Sequence, residues 1–303
     1  MSEVDLLRLN FNSQSLVTVN VILAVIMFGI ALDIRVEDFK QVFKTPKAPL
    51  IGVVAQFILL PAFTYLLTLI INPTPSIALG MILVASCPGG NISNFITYIS
   101  KGNVSLSVTM TAISTLLAIV MTPLNLWFWG NLNPKTAAIY HAVHLDPLQI
   151  LVVIIMILGV PLVLGMTIAK KFPDFAKKAE KPFKIAGIVV FIIFVAMALK
   201  MNFDYFLKYI KFVAIVVFVH NATAISTGFW TGRLAGLSYA DSKTVGIEVG
   251  IQNSALGLVL IFTFFGGLGG MALVAAWWGI WHIIAGLSIS FYWTKIRKVT
   301  ENG

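Results

Sequence analysis

Two membrane-length apolar stretches of this chain are broken in mid-span by polar, glycine-containing runs, and nothing else in the sequence restricts the fold as much. The first run reads Ala85-Ser86-Cys87-Pro88-Gly89-Gly90-Asn91-Ile92-Ser93-Asn94; the second reads Ile247-Glu248-Val249-Gly250-Ile251-Gln252-Asn253-Ser254. Inside hydrocarbon every backbone N–H and C=O must find a partner. An interrupted helix survives there only where protein or a water-filled cavity surrounds it. One such break is weak evidence of anything, because kinked membrane helices are common. A pair, one in each half of the chain, is the pattern of a secondary transporter whose ion and substrate sites lie at mid-membrane.

Composition places the breaks in a polytopic membrane protein. The chain is 58% hydrophobic and 11% charged, with a mean hydropathy of +0.93, well outside the range of soluble domains. About nine spans follow, at 16–33, 48–71, 75–100, 103–129, 147–169, 184–200, 209–232, 243–265 and 270–293, each near the ~20 residues that a helix needs to cross a bilayer. The third and eighth are the broken ones. The fold class expected is all-α, and the short connections leave no room for a soluble domain.

The net charge of +9 does not point to nucleic acid, because the basic residues lie mostly on one side. Sixteen of the 21 Lys and Arg lie in or at the edges of 34–47, 101–102, 170–183, 233–242 and the C-terminal tail 296–303. Arg8, Lys135, Lys200, Lys208 and Lys211 lie on the other. The positive-inside rule then puts the C-terminus in the cytoplasm and the N-terminal segment 1–15 outside. A multi-pass protein of a bacterial inner membrane fits. The first span can serve as an uncleaved signal-anchor. Cys87 is the sole cysteine, so no intrachain disulfide forms.

The breaks lie five spans apart, and an odd offset makes the two broken helices run in opposite directions. A span with a mid-membrane polar group precedes each, Gln56 in one half and His220-Asn221 in the other, and a long unbroken helix follows each. Spans 1–4 therefore pair with spans 6–9 as an inverted repeat whose broken helices cross near the midplane.

Glu248 is the one acidic residue placed clearly inside a span; Asp33, Asp146, Asp204 and Asp241 fall at span ends or in loops. A carboxylate at the bilayer centre costs roughly 2.5–3.5 kcal/mol on insertion scales, so it must face a partner or a cavity. Three roles remain open: a structural hydrogen-bonded acid, a ligand of a coupling ion, or a protonation switch. The polar residues available to it are neutral oxygen donors: Gln56, Ser93, Asn94, Ser107, Thr111, Gln252, Asn253 and Ser254. Hard oxygen ligands suit a hard cation such as sodium rather than zinc or copper. Ser107 and Thr111, spaced i, i+4, share one helix face, where they either ligate or form interhelical hydrogen bonds. A half-helix starting near Asn91 presents free N–H groups and a positive dipole end, which favours an anionic substrate group. His282 either lines the substrate path or packs. Trp277, Trp278 and Trp281 read as an interfacial aromatic belt. Neither a Gly-x-Ser-x-Gly elbow nor a Gly-x4-Gly-Lys phosphate loop occurs, so neither hydrolase chemistry nor ATP-driven transport is expected, and the chain is not read as an enzyme.

These segments resemble the bile acid:sodium symporter family. The likeness rests on Ser86 to Asn94, on Lys101-Gly102-Asn103-Val104-Ser105-Leu106-Ser107 leading into Thr111, Ser114 and Thr115, and on Glu248 to Ser254, and it extends to Asp33 through Pro61 and to Trp281-His282. It implies an inverted-repeat bundle of a core domain (48–129 and 209–293) and a panel domain (16–33 and 147–200) within a single transporter unit, 16–295. It implies two coupling sodium ions. One would bind at Ser93, Asn94, Ser107, Thr111 and Glu248; the other at Gln56, Glu248 and Gln252 with the carbonyls of Val249 and Ile251. Substrate would meet Asn91, Ile92, Asn253 and His282. Many bacterial relatives have ten helices, and the resemblance leads us to expect that the first has no counterpart among these nine spans. Where several carry His-Asn in the last helix, it has His282-Ile283. The function implied is sodium-coupled import of an organic anion, a small carboxylate or a bile-acid-like molecule, by alternating access. The alternatives are a proton-coupled carrier, a metalloid carrier using Cys87, and a membrane receptor that binds an anion without turnover. The bilayer and a small organic anion are the expected partners, with no nucleic acid and no obligate protein partner.

Overall fold

The computed structural model describes residues 3–8, 21, 24–29, 31–32, 34, 45–142, 147–201 and 203–296. Among them are helices, turns and two isolated β-bridges, and no strand. The helices are α1 (Glu3–Leu6), α2 (Lys47–Ile71), α3 (Pro75–Ser86), α4 (Ile92–Ile99), α5 (Val104–Leu132), α6 (Pro134–Ala142), α7 (Leu148–Lys171), α8 (Pro173–Met201), α9 (Phe203–Leu234), α10 (Tyr239–Gly250), α11 (Ser254–Phe264) and α12 (Gly269–Phe291). Most of the expected first span 16–33 and of the tail 296–303 lies outside the described residues. Five described helices, α2, α5, α7, α9 and α12, are long and apolar enough to cross a membrane.

Both expected breaks are present. α3 stops at Ser86 and α4 starts at Ile92; α10 stops at Gly250 and α11 starts at Ser254. Proline shapes α2 and α7 more subtly. Pro61 and Pro161 have no N–H to give the carbonyl four residues back, and each lies two residues past the end of a π-helical turn, Ala55–Leu59 and Ile155–Gly159. In α2 the carbonyl so released, that of Phe57, accepts from Asn125 Nδ2 at 3.0 Å. The π turn also carries Gln56, which is fully inside the protein.

Close backbone contact joins α9 to α10. A Cβ on Gly228 would lie 2.8 Å from the Cα of Gly246, and one on Gly232 would lie 3.1 Å from the Cα of Ser242. Small residues spaced by four are how membrane helices approach this closely. α3 is buried along nearly its whole length, with Ile77 to Ala85 at the centre of the largest apolar cluster.

Two local readings are corrected, and one contact is added. The segment 170–183, taken as a loop, is the end of α7 and the first turns of α8: Pro173 starts that helix, and the Lys, Glu and Ala that follow are good helix formers. Trp278 is no member of an interfacial belt. It is fully buried, its ring edge-on to His220 with centroids 4.7 Å apart. Asp5, in the segment read as an outside tail, is buried and accepts from Ser76 N at 2.9 Å, at the N-terminal turn of α3. Next to it Leu7 O accepts from Gly269 N at the start of α12.

Candidate functional site

The two breaks hydrogen-bond to each other. Gly90 N donates to Ile251 O at 2.7 Å and Asn253 N donates to Pro88 O at 2.9 Å, a single antiparallel bridge between Gly89 and Gln252. Backbone groups that their own helices cannot satisfy are thus satisfied across the crossing, which is what allows both breaks inside an apolar bundle. The approach is close. A side chain at Gly89 would put a Cβ 2.8 Å from Glu248 Oε2, and one at Gly90 would put it 3.1 Å from Gln252 O.

Glu248 sits on α10 just before the second break, 2% exposed. Ser93 Oγ from α4 and Ser107 Oγ from α5 each donate to its Oε1 at 2.5 Å, and Thr111 Oγ1 lies 3.1 Å from both carboxylate oxygens. Asn94 Oδ1 is 3.4 Å from the same Thr111 hydroxyl. All five residues of the first expected ion site are therefore brought together from three helices. The cage is made of oxygen alone. Its basic neighbour on α10, Lys243, is turned away and donates to the carbonyls of Ser100 and Lys101 at the C-terminal end of α4, at 2.5 and 3.0 Å. Among the described residues, the hydrogen-bond partners of the Glu248 carboxylate are hydroxyls.

The second expected group divides differently. Gln56 Nε2 donates to Gln252 Oε1 at 2.9 Å and to Cys87 O at 2.8 Å; Gln252 Nε2 returns a bond to Gln56 Oε1 at 3.2 Å and donates to Val249 O at 2.6 Å. The two amides, one from each half, thus close on each other beside the crossing. Val249 O and Ile251 O each hold one donor, and a carbonyl has a second lone pair free for a ligand. The hydrogen bonds of Glu248 run to the α4–α5 hydroxyls rather than to these amides.

Asn91 precedes α4 at its N-cap, with Ile92 next, both partly buried. Asn253 occupies the equivalent place before α11, its Oδ1 accepting from Leu256 N at 3.1 Å. The N-terminal ends of both trailing half-helices therefore meet at the crossing, and each end favours an anion. His282 is buried on α12, its Nδ1 without a partner among the described residues. Gly279, one turn earlier, packs on the start of α11, where a Cβ would lie 2.8 Å from Ser254 Oγ. Cys87 is fully buried within the main apolar cluster and offers the break its carbonyl rather than its thiol. The described residues contain no group of three or more His, Cys, Asp or Glu able to hold a metal.

Sequence reasoning missed the bond from Asn221 Nδ2 to Gly250 O at 2.7 Å and the one between Thr64 Oγ1 and His220 Nε2 at 2.8 Å. The available signal was the His220-Asn221 pair itself, at the position Gln56 holds in the other half.

The chain matches the Sodium Bile acid symporter family over residues 20–209. It is 31% identical over 300 residues to an uncharacterized sodium-dependent transporter of Bacillus subtilis, an alignment covering 97% of this chain and 90% of that one. Identity is 32% over 244 residues with a probable sodium/metabolite cotransporter of Arabidopsis thaliana chloroplasts, covering 80% of this chain and 59% of the relative. With the human ileal sodium/bile acid cotransporter it is 29% over 251 residues, covering 82% and 70%.

Proposed function

From the premise that this chain belongs to the sodium bile acid symporter family, a family of multi-pass membrane transporters and not of enzymes, we propose that it imports an organic anion with two sodium ions by alternating access. The observation that carries the reading is the oxygen cage around Glu248: one buried carboxylate, three hydroxyls and an amide oxygen on three helices. Such a set suits a hard monovalent cation. One ion would lie among Ser93, Asn94, Ser107, Thr111 and Glu248. The other would lie among Gln56, Gln252, Glu248 and the carbonyls of Val249 and Ile251, after the two amides turn their oxygens toward it.

Sodium in these places neutralises Glu248 and holds the breaks against each other. The ends of α4 and α11, at Asn91, Ile92 and Asn253, then receive the anion, with His282 beside them. The crossing helices rock as a core (48–129 and 209–293) against a panel (16–33 and 147–200), exposing the site to one side and then the other. The substrate is a small carboxylate in preference to a bile acid. The protein resides in a bacterial inner membrane with its N-terminus outside and its C-terminus in the cytoplasm, as the distribution of Lys and Arg supports.

Two sodium ions with one monoanion carry one net positive charge inward, and 100 mV inside negative adds ~2.3 kcal/mol to the driving force. Reconstituted vesicles screened with small monocarboxylates and bile acids should accumulate at least one of them under an inward sodium gradient. A 100 mV potential should raise that accumulation by up to about fifty-fold. Accumulation driven by a proton gradient without sodium would overturn the reading in favour of Glu248 as a titrating group.

A further inference from the structure

Each broken span is served by an amide from the span before it. In the first half Gln56 Nε2, on α2, donates to Cys87 O, 31 positions on, at the end of α3. In the second, Asn221 Nδ2, on α9, donates to Gly250 O, 29 positions on, at the end of α10. The two amide-bearing helices are themselves joined, because Thr64 Oγ1 on α2 lies 2.8 Å from His220 Nε2, the neighbour of Asn221.

Gly250 O needs that donor. In an unbroken helix it would accept from Ser254 N, four residues on. Here Ser254 N donates to Gln252 O at 2.9 Å instead. A buried carbonyl without a partner is costly in hydrocarbon, and only the nitrogen of an Asn side chain can donate to it. Gly250 also stands between Val249 and Ile251, whose carbonyls the proposed function assigns to the second ion. Anchoring the Gly250 carbonyl restrains the chain at the residue between them, beside the bonds that Gln252 Nε2 and Gly90 N make to those two carbonyls.

The geometry points to Asn221 as the positioning residue of the second break, the counterpart in its repeat of Gln56. It touches no ion. It restrains the residue between the Val249 and Ile251 carbonyls, so its loss loosens that stretch of backbone and lowers sodium affinity while the cage at Glu248 stays complete. This inference rests on the sodium-coupled reading.

The test is a sodium titration of thermal stability at constant ionic strength, with KCl as the balancing salt, on purified wild type and Asn221→Leu. Leu is close to Asn in size and keeps the site filled; Asn221→Ser, smaller and too short to reach Gly250, serves where Leu does not fold. The sodium midpoint is expected to rise about tenfold in the variant, which corresponds to about 1.4 kcal/mol. A variant whose midpoint equals that of wild type, however much its melting temperature falls in KCl, overturns the positioning role and leaves a structural one. Wild type with no sodium-specific stabilisation overturns the sodium reading itself, and with it this inference.

Discussion

Among the described residues Glu248 is held by hydroxyls alone, and that choice of partners decides what can neutralise it. An Arg or Lys in the cage would make a permanent ion pair and leave no work for a transported cation. Ser93, Ser107 and Thr111 stabilise the carboxylate yet keep lone pairs for an ion. Gly89 belongs to the same arrangement, since a Cβ there would come within 2.8 Å of Glu248 Oε2 and 3.4 Å of Glu248 O. Gly89→Ala must therefore displace the carboxylate or open the crossing. Its sodium half-saturation is expected to rise at least about tenfold, ~1.4 kcal/mol, in a transport or melting assay; unchanged sodium affinity would show that the carboxylate has slack. Glu248 and the i, i+4 pair Ser107 and Thr111 stood out in the sequence as a lone carboxylate and two hydroxyls on one helix face, whereas the grouping of Ser93 and Asn94 with them came from the family resemblance. The resemblance also grouped Gln56 with Gln252 but did not show the direct bond between their amides, because residues 196 positions apart meet only through the crossing of two helices.

α4 is short, and it is gripped at both ends by α10. Glu248 accepts from Ser93 at its N-terminal end, while Lys243 donates to the carbonyls of Ser100 and Lys101 at its C-terminal end. A cation at a helix C-terminus also complements the helix dipole. Lys243→Met leaves buried carbonyls without this donor, a loss of about 1–3 kcal/mol. Because Lys243 faces away from the cage, the melting temperature should fall equally in NaCl and KCl. A fall confined to NaCl would place Lys243 in the ion site. At this level the sequence was readable for where helices break and misleading for which face is buried. α12 is apolar around most of its circumference, so the Trp277, Trp278 and Trp281 cluster was assigned to an interface by its position along the helix. Packing instead turns Trp278 onto His220 of α9. Likewise the basic stretch before 184 looked like a loop because its charge masked sound helix propensity.

Taken whole, the two halves of the molecule are joined at the helix crossing: by the Gly90–Ile251 and Asn253–Pro88 backbone bonds, the glutamine pair, and the cage around Glu248. The N-terminal segment adds a tie on another side of the bundle, through Asp5 to the start of α3 and Leu7 to the start of α12. Sequence suggested the inverted repeat from the odd offset of the breaks, and it could not anticipate that tie, which depends on two helix starts lying side by side. If sodium joins the halves at Glu248, binding should stabilise the fold, and increasingly so as sodium rises above its dissociation constant, as any ligand of the native state does. The most direct measurement is the melting temperature of the detergent-purified protein in NaCl against KCl at equal ionic strength, for wild type and Glu248→Gln. The account predicts a sodium-specific stabilisation in wild type that disappears in a folded Glu248→Gln variant. Equal melting temperatures of wild type in the two salts, or a sodium effect that survives Glu248→Gln, would contradict it.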